Sequence, residues 1–160
     1  MFRFKKSQLA VTDLFIALVV ALILIILVVF TWNRYVIILK EENVYKEMQL
    51  ITFQTVDLLI KSSGEPSNWE LNPTNVDVIG LASSDRKISA SKVDALINLS
   101  YNFTSNSLGI SYYDFYFQLK HVNGTQLMGY GIAPNNTVVS VQRLVSYKNE
   151  DAIAEFALWK

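Results

Sequence analysis

The chain has no cysteine and only one histidine in 160 residues, and each scarcity closes a class of chemistry. Without cysteine there is no disulfide scaffold, no thiolate metal site and no thiol nucleophile. His121 alone cannot build a histidine-cluster zinc centre, so no metal or other cofactor is expected, and acid/base catalysis would have to rest on carboxylate pairs. Fourteen Lys plus Arg balance fourteen Asp plus Glu. A chain without positive excess lacks the electrostatic footprint of a nucleic-acid binder, and no nucleic-acid partner is expected. Charged residues make up only 18% of the chain against 51% apolar, which separates it from disordered and from ordinary cytosolic sequences. No proline or glycine precedes Gly64, so nothing interrupts a helix from about residue 10 to residue 62. Neither a glycine-rich phosphate loop nor a nucleophile elbow is present.

What is present is concentrated apolar surface. Residues 14–30 carry no polar side chain, and the uncharged stretch continues to Asn33. About 20 residues of helix span ~30 Å, the thickness of a bilayer core. A secretory signal would have an apolar region of only about 7 to 15 residues and then a small-residue cleavage site. Here Phe30, Thr31, Trp32, Asn33, Arg34 and Tyr35 follow instead. Trp32 and Tyr35 suit a membrane interface, and Arg3, Lys5 and Lys6 before the span place the first residues in the cytoplasm and the rest outside. Asn-X-Ser/Thr triplets at Asn98, Asn102, Asn123 and Asn135 all lie on the outer side and are candidate glycosylation sites. Proline disqualifies the triplet at Asn72.

Beyond Arg34 the pattern turns one-sided: Val44, Met48, Ile51, Leu58 and Leu59 recur at helical spacing among Lys40, Glu41, Glu42, Glu47 and Asp57. This half of the helix is expected to dock on a soluble domain and to stop near Gly64 and Pro66. Residues 62–88, rich in Ser, Asn, Pro and Asp, predict a long surface connection pinned by Trp69. A short helix capped by Ser91 and running to about Tyr101 follows. Phe115, Phe117 and Leu119 then alternate with polar neighbours, Asn123-Gly124 signals a hairpin, and 126–132, 139–145 and 152–159 supply further strands. The expectation is an α+β fold, with a long N-terminal helix packed on a C-terminal antiparallel meander of about four strands. The corresponding divisions are a basic leader (1–7), an apolar membrane or filament-core helix (8–33) and an extracellular β-rich head (34–160).

The junction Phe4-Lys5-Lys6-Ser7-Gln8-Leu9-Ala10-Val11-Thr12-Asp13-Leu14-Phe15 resembles the class III signal peptide of archaeal type IV prepilins. Gly64-Glu65-Pro66-Ser67-Asn68-Trp69, Ile79-Gly80-Leu81-Ala82 and Lys92 before a helix also look like archaeal pilin-like proteins. The resemblance implies cleavage between Ser7 and Gln8 by a prepilin peptidase, retention of the apolar span, and assembly with other copies or related pilins into a helical surface filament, with adhesion as its role. The bacterial branch, with an aromatic first mature residue and a fifth-position Glu, fits less well. A carboxylate at the edge of an apolar run costs free energy on insertion. Asp13 therefore either sits among headgroups near the helix start or offers a counter-charge to a neighbouring amino terminus. Ala17 and Ala21, four apart, offer a face for close helix approach.

Two other readings stay open. One is a single-span surface protein whose head binds a ligand or envelope partner without polymerising. The other, a membrane-anchored hydrolase, needs a catalytic constellation that the sequence does not supply. Glu41-Glu42 and Glu150-Asp151 read as solvated faces, and His121 as a surface histidine at a strand end. Tyr101, Tyr112, Tyr113, Tyr116 and Tyr130 form either a binding surface or half-buried packing.

Overall fold

The computed structural model describes residues 4–134 and 138–160, with residues 4–10 by their backbone alone. Helix α1 (Phe4–Lys61) is unbroken, as the lack of Pro and Gly requires. The chain divides into two compact units, Met1–Val44 and Tyr45–Lys160. We refer to the second as the head.

Within the head, α1 lays Met48, Thr52, Thr55, Val56, Leu59 and Ile60 into the core. These positions lie three, four or one apart, the spacing that keeps side chains on one helical face. The buried stripe differs from the expected one. Val44 is 41% exposed, Leu58 is half-buried, and two threonines take core positions. Thr52 is tolerated because its Oγ1 donates to the Met48 carbonyl at 2.6 Å, so no polar atom is left unpaired.

The sheet has six strands rather than four: β1 (Ala82–Ser84), β2 (Lys87–Ile88), β3 (Asp114–His121), β4 (Gln126–Gly131), β5 (Val139–Tyr147) and β6 (Glu150–Trp159), in the order β1-β2-β5-β6-β3-β4. It is not a meander. The last strand inserts between β5 and β3, pairing antiparallel with both, so Phe156 lies opposite Val141 on one side and Phe117 on the other. The central position explains its composition: Ala152, Ala154, Phe156, Ala157, Leu158 and Trp159 are all buried. The two extra strands come from the expected connection. They are too short to show a period of two, and β2 is held by parallel pairing of Lys87 and Ile88 with Ser146 and Tyr147.

The helix predicted from Ser91 to about Tyr101 is α2 (Ala90–Asn98), and a second helix that was not expected, α3 (Tyr101–Ser107), follows it. Leu99 is extended (φ −73, ψ 150), and Ser100 caps α3 by accepting the Phe103 N–H at 3.3 Å. Ser89, not Ser91, is the N-cap of α2: its carbonyl accepts the Val93 N–H at 3.1 Å. Tyr101 stacks on Phe115 and Phe115 on Phe156, with centroids 4.9 and 5.6 Å apart, in a column running from α3 into the sheet.

The segments 64–69 and 79–82 and the residue Lys92 converge in the head. Fully buried Trp69 donates its indole N–H to the Gly80 carbonyl at 2.8 Å. Lys92, 4% exposed, donates to the carbonyls of Ser63 (2.5 Å), Ser67 (2.8 Å) and Ala82 (3.4 Å). A Cβ on Gly80 would lie 2.3 Å from the Ser62 carbonyl oxygen, so only glycine lets the two chain segments approach. Buried polar groups must be paired, and here a single ammonium satisfies backbone carbonyls from three places in the chain.

Candidate functional site in the apolar helix

The described residues of the Met1–Val44 unit form one helix, and from Val11 onward its apolar side chains stay in the open. Leu14 is 70% exposed, Leu22 50% and Phe30 64%, and no residue of the unit from Val11 onward is buried. A helix satisfies its own backbone hydrogen bonds, which is what a lipid environment demands of a spanning segment. Thr31, at the end of the run, hides its hydroxyl by donating to the Leu27 and Val28 carbonyls at 2.9 Å. Among the described residues this helix alone is long and apolar enough to cross a membrane. That surface suits a membrane anchor or a signal sequence. Trp32 and Tyr35, 66% and 58% exposed, flank Arg34 at the C-terminal end of the apolar run, and with Val28 and Thr31 they line a shallow hollow of about 340 Å³. Past Arg34 the apolar surface resumes at Ile37, Ile38 and Leu39, also exposed.

Asp13, Ala17 and Ala21 fall four residues apart on this helix and therefore along one ridge, and all three are exposed. Ser7 and Gln8 belong to the same helix, but their side chains lie outside the described residues, as does all of Asn135. The other three sequon asparagines are exposed: Asn98 ends α2, Asn102 lies in α3, and Asn123 occupies the turn between β3 and β4.

The head gathers charged groups in two places among others. Asp57 on α1 meets Lys61 at 2.7 Å and Arg143 of β5 at 3.1 Å, and the Arg143 guanidinium lies 5.0 Å from the Phe53 ring centre. Hydrogen bonding to Lys61, with a smaller share from Arg143, holds the Asp57 carboxyl below its ordinary value against the opposing effect of burial. On the sheet face away from the helices, Glu155 pairs with Lys120 and accepts from Gln118 at 3.0 Å. Burial pushes Glu155 up, but its bonds to Lys120, Gln142 and Gln118 prevail and hold it low. The sequence signal for the second cluster was present: polar residues opposite one another on three neighbouring strands, Gln118, Glu155 and Gln142, share a face.

His121 lies 3.6 Å from Glu150 across a small cleft of about 250 Å³, lined also by Leu127, Tyr147 and Lys148. Among the described residues no group of three His, Cys, Asp or Glu side chains is placed to hold a metal. The tyrosines do not form one surface. Tyr101 bonds Asp114 at 2.9 Å, Tyr130 bonds Thr104 and the Leu99 carbonyl, Tyr116 meets Gln126 on the opposite sheet face, and Tyr112 is 86% exposed. No family model, no curated protein and no solved structure matches the chain.

Proposed function

We propose that this chain is a pilin or minor pilin, a structural subunit of an archaeal type IV pilus-like surface filament with an adhesive role. One observation carries the reading: a helix with apolar surface on every side joins, without a break, a head that has its own buried core. In this account a membrane peptidase removes residues 1–7 and leaves Gln8 as the first residue. The precursor waits in the membrane with its N-terminus cytoplasmic. On assembly the helix exchanges lipid for neighbouring helices, a step driven by packing rather than by a new hydrophobic gain. Ala17 and Ala21 allow the approach, and Asp13 balances the amino terminus of an adjacent subunit. The resemblance at the Ser7-Gln8 junction supports this reading over a lone membrane anchor, which needs neither a cleavage site nor a carboxylate at the edge of the span.

N-terminal sequencing of protein recovered from sheared surface filaments tests the proposal. The expected result is a chain beginning at Gln8. A chain beginning at Met1 and found only in membranes would favour the single-span anchor, and one beginning beyond Phe30 would make the span a secretory signal.

A further inference from the structure

We propose that, among the three sequons in the described residues, Asn123 is the glycan acceptor and Asn98 and Asn102 are not, an inference that rests on the outward placement of the head proposed above. Glycan transfer needs two free groups in one triplet: the asparagine Nδ2, which becomes the glycosidic nitrogen, and the hydroxyl two residues on, by which the acceptor is recognised. The three triplets differ in what the fold does with these groups.

In the Asn98 triplet both are engaged. Asn98 Nδ2 donates to the Asp94 carbonyl at 2.8 Å, and Ser100 Oγ caps α3. In the Asn102 triplet the hydroxyl is inaccessible, because Thr104 is fully buried and its Oγ1 lies 2.8 Å from the Tyr130 hydroxyl. Both asparagines are also fixed in helices, whereas an acceptor must enter an enzyme's groove as an irregular strand or turn. The Asn123 triplet meets every requirement. Asn123, Gly124 and Thr125 are all exposed. Asn123 engages its Oδ1, which accepts the Thr125 N–H at 2.9 Å, and this bond does not occupy Nδ2. Gly124 has φ +89, and a Cβ built there would meet nothing within 4 Å, so the tip of the turn stands in open space.

The donor is a glycan linked through C1 to a lipid phosphate. The C1–O bond to phosphate breaks and the electron pair leaves with the lipid phosphate. Asn123 Nδ2 bonds to C1, and the displaced amide proton passes to the transferase base. No oxidant or reductant is needed.

The test is site-resolved glycopeptide mass spectrometry on the full chain, produced in cells shown to glycosylate another surface protein. A flexible Asn-Gly-Thr tail appended after Lys160 reports whether the C-terminal side reaches the transferase. The proposal expects glycan at Asn123, bare Asn98 and Asn102, and loss of one glycan mass in Asn123→Gln and in Thr125→Ala. A glycosylated tail with Asn123 bare would overturn the proposal and leave the head outside. Tail and Asn123 both bare would contradict the outward placement, and the proposal with it. Glycan on Asn98 or Asn102 would overturn the selection by fold.

Discussion

Met1–Val44 and Tyr45–Lys160 use the same apolar residue types to opposite ends. In the first unit no side chain from Val11 onward is buried, while in the head Trp69, Phe115, Phe117 and Phe156 are at most 1% exposed. The head turns its apolar surface inward and closes the rim with polar groups that find partners: Lys92 on three carbonyls, Thr52 on its own helix, Asp57 between Lys61 and Arg143. The helix of the first unit has no such closure, and its apolar surface exceeds what a soluble monomer leaves in water. The difference teaches that foldedness and partnership are separable along one continuous helix.

Substitutions should therefore sort by unit. The largest effect is expected from Trp69→Ala, which opens a cavity and orphans the Gly80 carbonyl. A cost of about 3 to 5 kcal/mol is anticipated in denaturant unfolding of the head, with membrane association unchanged. Leu22→Arg should do the reverse, costing about 2.5 to 3.5 kcal/mol of membrane insertion, read from the membrane-bound fraction, while the head unfolds as before. Lys92→Met keeps the volume but leaves three carbonyls without their donor. Equilibrium unfolding should register a loss of about 2 to 3 kcal/mol, again confined to the head. If Trp69→Ala weakened insertion as much as folding, the separation between the units would fail.

The smallest effect concerns acid. Glu155 and Asp57 are held low in the folded head, so the unfolded chain binds protons more readily than the folded one. Their stabilisation is complete above the unfolded carboxylate range and is lost as pH falls through the lower folded values. Glu155→Gln should cost no more than about 1 kcal/mol at neutral pH and flatten the acid limb of a stability–pH profile. An unchanged acid limb would show that the Lys120 pair contributes nothing to stability.

Much of this arrangement is legible in the sequence. The missing helix breakers, the alternation in Phe115, Phe117 and Leu119, and the Asn123-Gly124 turn are local signals, and the elements they mark are present. What escaped depends on long-range neighbours. The strands β1 and β2 exist because β5 offers a hydrogen-bonded edge, and no local pattern of three or two residues announces that. The central position of β6 is a topological choice, hinted at only by its small and apolar residues on both faces. Lys92 stood out in the sequence only as part of the pilin-like resemblance, and its structural role appears only when residues 63, 67 and 82 are brought around it. For the candidate site, the exposed run and the ridge of Asp13, Ala17 and Ala21 follow directly from helical spacing. The sequon motif itself could not reveal that Thr104 is buried while Thr125 is not.

The central claim is that the head is complete in itself and the preceding helix is not. Sedimentation and unfolding of residues 41–160 in detergent-free buffer test it most directly, since Glu41 and Glu42 then form a favourable acidic first turn. The account predicts a monomer that unfolds in one cooperative transition at the midpoint shown by the head of the full chain in detergent. Aggregation, or a broad transition well below that midpoint, would contradict it.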